Sequence, residues 1–236
     1  MDELQQILEN SKLTEKKIAD SLLHPYLHTK YKTREVFSEI TEVVDTYFQT
    51  GNGVRALGYA GLRGTGKTTL LWQSADYIYK NYTKNIFFFN FSDLLRYSIS
   101  IWDIKDAFQK YIVKEHLWGY KEKIVLIFDE VHESPMWAKA LKSLYDEFRI
   151  AFILVSGSSA LLLQSTADLV TRMVIQHVLP LNFREYISLT HQNVDNIPEL
   201  RQKLEHIILR SENADVLYND LFKIKSDLDN YLKKID

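Results

Sequence analysis

The sequence predicts an α/β fold: a parallel sheet of five strands covered on both faces by helices, with a helical arm before it and a helical extension after it. Three observations carry this expectation. Short, almost wholly apolar runs recur through the middle of the chain, and such runs read as strands buried on both faces, as in a parallel sheet. Segments with the apolar spacing of helices lie between them, the alternation that strand–helix–strand units produce. A glycine-rich stretch, 61-GLRGTGKTT-69, separates the first strand from the helix that follows it.

Residues 1–50 read as the helical arm. Thr14 is placed to cap 15-EKKIADSLLH-24, and Pro25 stops it, because proline removes a helix hydrogen bond and clashes with the preceding turn. In 33-TREVFSEITEVVDTYFQ-49, Val36, Ile40, Val43, Val44 and Phe48 share one helix face, and 51-GNG-53 ends the pattern.

The core is expected over residues 51–188. Its first strand is 54-VRALGYA-60, followed by a helix running to about Tyr82; 85-NIFFFNFS-92 is the second strand and 100-SIWDIKDAFQKYIV-113 a helix. The third strand, 123-KIVLIFDE-130, ends on two carboxylates. Ser134 and Pro135 read as the N-cap and first-turn pair of a helix over 136–148. A fourth strand over 150–156, a helix over 158–170 and a fifth strand over 173–179 complete the alternation. After Pro180 the strands cease: 182-NFREYISLTHQ-192 and residues 197–235 read as helical, and residues 189–236 form the extension.

Composition narrows the class. The 236 residues are 46% apolar and 25% charged, as in an ordinary globular protein. A net charge of −2 provides no bulk attraction for nucleic acid. The arm alone is mildly basic, through Lys12, Lys16, Lys17, Lys30, Lys32 and Arg34. The absence of cysteine excludes disulfides, zinc thiolates and cysteine nucleophiles. The first residues, MDELQQILENSK, lack the apolar core of a signal peptide, and no apolar run approaches the ~20 residues of a membrane span. A soluble cytoplasmic protein with no membrane partner is expected.

The chemistry begins at the glycine-rich stretch, which fits G-x-x-x-x-G-K-[ST]. A triphosphate must be held without side-chain clash. Gly61, Gly64 and Gly66 let the backbone curl so that N–H groups of Leu62, Arg63, Thr65 and their neighbours converge on an anion. The helix that starts there adds the positive end of its dipole. Lys67 supplies a charge for the β- and γ-phosphates, the Thr68 hydroxyl is a ligand for Mg²⁺, and Thr69 completes the binding stretch. A glycine-rich turn before a helix is the alternative, but an apolar strand precedes the loop and a helix follows. The expected architecture is thus a three-layer P-loop NTPase, with ATP and Mg²⁺ as cofactors.

Hydrolysis needs partners elsewhere. Asp129 ends the apolar run 125-VLIF-128, is placed to ligate magnesium, and stands 62 positions after Lys67, room for an intervening strand and helix. Glu130, one residue on, is placed to polarise the attacking water. Each is also a residue type that commonly begins a loop. Ser156, at the end of IAFILVS, is a candidate γ-phosphate sensor, while Ser156-Gly157-Ser158-Ser159 equally describes a turn and helix N-cap. Arginine commonly balances charge on a departing phosphoryl group. Arg63, Arg172 and Arg184 are candidates, with Arg172 preferred; each also suits a surface ion pair. His132 beside the acidic pair reads as a loop histidine, and the seven histidines show no metal-ligand spacing.

Together, GLRGTGKTTLLWQ, IFDEVHESPMWAKALKSLYDEF, ILVSGSSALLL and TRMVIQHVLPLNFREYISL resemble, in order and spacing over about residues 54–188, the AAA-type ATPases of bacteria and archaea often found with a C-terminal nuclease-like domain of unknown function. The last piece is the family's most distinctive signature. The resemblance implies an additional-strand ATPase core with strand order 5-1-4-3-2. It also implies that Thr171-Arg172 stands where the family has Gly-Arg, and His132 where it usually has glutamine. Members commonly continue into a winged-helix and nuclease-like region, whereas this chain ends at 227-DLDNYLKKID-236, so no function of that region is carried over.

The function expected is an ATP-hydrolysing module that couples nucleotide state to a protein or nucleic-acid partner or to a conformational change, with nucleotide-dependent homo-oligomers in view. A regulatory switch with little intrinsic hydrolysis is the alternative. A small-molecule kinase is disfavoured by a glutamate directly after the magnesium aspartate, and a GTPase by the lack of N-K-x-D.

Overall fold

A computed structural model describes residues 3–26, 28–114, 116–158 and 171–190, with residues 225, 229–230 and 232–233. The chain divides into two compact units, Met1–Pro180 and Leu181–Asp236.

In the first unit, β1 (Ala56–Ala60), β2 (Ile86–Asn90), β3 (Ile124–Asp129), β4 (Ala151–Gly157) and β5 (Met173–His177) form one sheet. Every neighbouring pair is parallel, and the order is β2-β3-β4-β1-β5. Read from the other edge this is 5-1-4-3-2, the order the resemblance implied.

Among its described residues, the helices of this unit are α1 (Glu3–Ser11), α2 (Glu15–Ser21), α3 (Phe37–Thr50), α4 (Lys67–Asn81), α5 (Phe91–Leu94), α6 (Ile101–Ala107) and α7 (Trp137–Glu147). They cover both faces of the sheet. Side chains alternate along a strand, so Ile124, Leu126 and Phe128 of β3 enter a core with Leu8 of α1, Ile101 and Ile104 of α6, and Leu141 and Leu144 of α7. Val125 and Ile127 enter the opposite core with Ile18 of α2, Ile40 and Val44 of α3, and Leu70 and Leu71 of α4. All six residues of β3 are buried, which is why the segment reads as a continuous apolar run. The arm also lies against the β2 edge, where the Leu13 N–H donates to Ile86 O at 2.8 Å. Covering an edge strand in this way removes a template for unwanted pairing.

The second unit contains α8 (Phe183–Thr190), entered through a reciprocal cap: the Glu185 N–H donates to Asn182 Oδ1 at 2.8 Å and the Asn182 N–H to Glu185 Oε2 at 3.3 Å. The helix expected over 158–170 lies, beyond Ser158, outside the described residues. Most of 197–235 does too, although residues 225, 229, 230 and 232 are helical.

Several local expectations are corrected. Thr14 caps α2 by accepting from Lys17 N, but the helix ends at Ser21, short of Pro25. The helix predicted from residue 33 begins at Phe37, after a turn in which the Phe37 N–H donates to Arg34 O at 3.0 Å. The helix predicted over 100–113 changes character: after α6, residues Phe108–Val113 widen into a π-helical turn that ends on Lys114 at φ 59°.

Ser134 does not cap α7. That helix starts behind Met136, which holds a left-handed φ of 54° without a side-chain cap. The Ser134 hydroxyl instead accepts from Ile101 N at 3.2 Å, joining the start of α6 to the turn after β3.

Two substitutions of opposite sign follow. Ser134→Ala leaves a buried N–H without its acceptor and lowers unfolding stability by about 1–2 kcal/mol. Met136→Gly relieves a left-handed residue that is largely exposed, and raises stability by about 0.5–1 kcal/mol. Urea denaturation of both variants measures the two signs.

Candidate functional site

β1 delivers the chain into the glycine-rich loop, and α4 takes it away. Gly64 and Gly66 hold φ of 83° and 90°, a region side chains rarely adopt. Gly61 is needed for another reason. A Cβ there would stand 2.3 Å from Val178 O, the backbone just past β5. Leu62, Arg63 and Gly64 are exposed, Thr65 is buried and Thr69 is half-buried. The Thr65 hydroxyl donates to Leu62 O at 2.8 Å and tightens the turn.

Lys67 is 5% exposed, and its ammonium donates to Gly61 O at 3.1 Å and Leu62 O at 3.0 Å. A buried ammonium must find acceptors. Here the loop's own carbonyls provide them, so the charge lies inside the curl that the glycines create.

The tips of β3 and β4 meet the start of α4. Thr68 Oγ1 donates to Asp129 Oδ2 at 2.9 Å. The other carboxylate oxygen, Oδ1, accepts a short hydrogen bond from the Ser156 hydroxyl, and Ser156 Oγ accepts from Glu130 N at 3.1 Å. Asp129 is 2% exposed and Ser156 fully buried.

Thr68 and Asp129 thus present a hydroxyl and a carboxylate oxygen side by side, the hard-oxygen donors that Mg²⁺ takes alongside water and phosphate. Among the described residues no group of three or more His, Cys, Asp or Glu could hold a metal ion. The pair fits a site that it would share with phosphate oxygens and water. Glu130, next in the chain, adopts a left-handed φ of 51° and keeps a partly exposed side chain.

The expected residues do not all converge. Lys67, Thr68, Asp129, Glu130 and Ser156 come together, and Arg63 is exposed on the loop itself. Arg172 does not join them. It precedes Met173, which pairs with Ala56 at the start of β1, whereas the loop follows Ala60 at its end. That separation is about 17 Å along the strands. Arg172 Nε donates to Asp146 Oδ1 of α7 at 3.0 Å, in a partly exposed ion pair. Arg184 lies in α8, where its side chain is outside the described ones, and Ser159 is outside the described residues.

One residue at the loop went unnoticed in the sequence. Arg34 Nη1 donates to Thr65 O and to Leu179 O, each at 2.9 Å, tying the loop to the exit of β5. Its only local signal was membership of a mildly basic arm, because both acceptors are backbone carbonyls distant in sequence.

A family model described as an AAA domain matches residues 54–187. Two uncharacterized proteins of Methanocaldococcus jannaschii are similar. MJ1637 is 33% identical over 214 residues, covering 87% of this chain and 42% of its own, and MJ1544 is 27% identical over 174 residues, covering 74% and 37%. The chain therefore spans about two fifths of the length of these curated relatives. The Aeropyrum pernix ORC1 protein, solved in complex with DNA, has a similar fold, with a TM-score of 0.51 at 12% identity over 80% of this chain and 53% of that one.

The Arg34 tie yields a testable outcome. Arg34→Leu removes the link between Thr65 O of the loop and Leu179 O after β5, and is expected to weaken nucleotide affinity about 5- to 20-fold, equivalent to about 1–2 kcal/mol. Titration calorimetry, with circular dichroism as the folding control, reads this; unchanged affinity would show the tie to be irrelevant to the ligand.

Proposed function

The chain belongs to the AAA domain family, and from that premise we propose that it binds ATP with Mg²⁺ and hydrolyses it, coupling nucleotide state to a partner or a conformational change. The observation that carries this proposal is the 2.9 Å contact between Thr68 Oγ1 and Asp129 Oδ2 at the mouth of the loop, with Glu130 next in the chain. In this scheme residues 51–188 are the ATPase core, 1–50 a helical arm and 189–236 a helical extension.

Each residue then has a task. The N–H groups of residues 61–69 and the Lys67 ammonium hold the phosphates, Lys67 exchanging loop carbonyls for phosphate oxygens. Thr68 and Asp129 would hold Mg²⁺, which would supply charge neutralisation for the phosphates. Glu130 accepts a proton from the water as its oxygen attacks the γ-phosphorus and the bond to the β-phosphate oxygen breaks. Ser156 enters through Asp129 and the Glu130 N–H, both of which it holds, in a positioning role. Arg172, at the far end of its own sheet, would serve a phosphate on a neighbouring copy, which makes a nucleotide-dependent homo-oligomer part of the proposal.

A second reading, a nucleotide switch with little turnover alone, is favoured by one observation: Arg172 is paired with Asp146, away from its own loop. Protein and nucleic acid remain the partner classes proposed.

Steady-state ATPase and binding assays test the scheme. Lys67→Ala is expected to weaken ATP binding at least about 100-fold. Glu130→Gln is expected to keep affinity within about threefold while lowering turnover at least about 100-fold. Absence of wild-type turnover at concentrations where ATP induces oligomers would overturn the hydrolase and leave the switch.

A further inference from the structure

The turn after β3 contains a half-buried histidine that the scheme above does not use. His132 lies in a one-turn 3-10 helix, Val131–Glu133, with its ring between two carboxylates. Nδ1 is 3.5 Å from Glu130 Oε2, and Nε2 is 3.5 Å from Glu133 Oε1. Neither approach is yet a hydrogen bond, which needs about 2.7–3.2 Å. Nδ1 is buried and has no hydrogen-bond partner.

The backbone explains why the three side chains cluster. Glu130 is left-handed, at φ 51° and ψ 46°, a conformation that is strained for a non-glycine residue. It is held from both sides: its N–H donates to Ser156 Oγ at 3.1 Å, and its carbonyl accepts from Glu133 N at 3.0 Å. The kink folds residues 131–133 back, so that the ring of His132 meets the carboxylate two residues earlier. A strained residue at a candidate site, held by two hydrogen bonds, is a reason to look for a role.

We infer that His132 is a positioning residue for Glu130, donating from Nδ1 to its carboxylate. The inference rests on the proposal that Glu130 receives the proton of the attacking water.

The choice of nitrogen follows from solvent. A neutral imidazole has one N–H to give. With the proton on Nε2, Nδ1 would turn a lone pair toward the Glu130 carboxylate in a place water does not reach, and an unsatisfied buried polar atom is costly. With the proton on Nδ1, Nε2 faces Glu133, whose side chain is 40% exposed, so water can satisfy that side. The sealed nitrogen therefore carries the hydrogen, and a shift of about half an ångström brings it into bonding distance of Oε2. A base whose carboxylate is oriented by a third group is better aimed at its water.

Two measurements test this, one of them independent of turnover. Long-range ¹H–¹⁵N spectra of the imidazoles, with His132 assigned by the loss of its signals in His132→Gln, report which nitrogen is protonated. The expected result is an Nδ1–H tautomer in the wild type that moves to Nε2–H in Glu130→Ala. An Nε2–H wild type, or a tautomer indifferent to Glu130→Ala, would overturn the inference. In the ATPase assay, His132→Leu lowers kcat about tenfold or more while ATP affinity stays within about twofold, and His132→Gln recovers most of the loss. Equal loss in both variants, parallel loss of affinity, or a rise in kcat overturns it. If the wild type does not turn over at all, the base assignment of Glu130 fails, and the tautomer still decides whether His132 holds its carboxylate.

Discussion

The Asp129 carboxylate is almost wholly removed from water, and an ionised group in that position must be surrounded by donors. Two are supplied, one to each oxygen: the Thr68 hydroxyl from the start of α4 and the Ser156 hydroxyl from the end of β4. Ser156 also accepts from Glu130 N, so one serine fixes both the carboxylate and the backbone that aims the next one. Segments far apart in sequence are thereby locked around a single charge. The lock depends on strand register. Phe128 pairs with Val155, which sets Ser156 beside Asp129. A slip of one residue would turn every side chain of β4 to the other face and bring an apolar residue where the donor must be.

The glycine-rich loop is constrained from the other side by backbone. Val178 O lies so close to Gly61 that a Cβ has no room, and Leu179 O shares the Arg34 guanidinium with Thr65 O. Both contacts come from the two residues that follow β5. The exit of β5 therefore meets the loop twice, once by close approach and once through an arginine. A ligand that altered the loop's curvature would disturb these contacts. The Lys67 ammonium acts on the same loop, since two loop carbonyls would lose a donor if it turned to a phosphate.

What could be read from the sequence was what neighbouring residues encode together. The loop was legible because its glycines, Lys67 and Thr68 are consecutive, and β3 because burial on both faces leaves one unbroken apolar run. The sheet order was legible through resemblance, not through periodicity. Long-range hydrogen bonds left no local trace. Arg34 looked like one basic residue among several, and Ser134 looked like a cap because Pro135 follows it, whereas its acceptor oxygen serves Ile101, 33 residues earlier. The π-helical turn after α6 was equally hidden, since it shares its apolar spacing with an ordinary helix. His132 shows the limit most clearly: its relation to Glu130 depends on a left-handed residue that no glycine announced.

A parallel sheet has a polarity, and that polarity constrains Arg172. Strand ends gather the loop, Asp129, Glu130 and Ser156 at one end, while the residue preceding β5 stands at the other. No rotamer of an arginine spans a strand, since its side chain reaches about 7 Å against about 17 Å of backbone. If Arg172 ever meets a γ-phosphate, that phosphate belongs to another copy. The Asp146 pair is consistent with such waiting, because a partly exposed ion pair is worth only about 0–1 kcal/mol and is easily exchanged for a bidentate contact with phosphate. The same polarity separates the two tasks the chain would perform. In the proposed scheme the binding residues gather at one end of one sheet, whereas Arg172 at the other end would compensate charge only on a second copy.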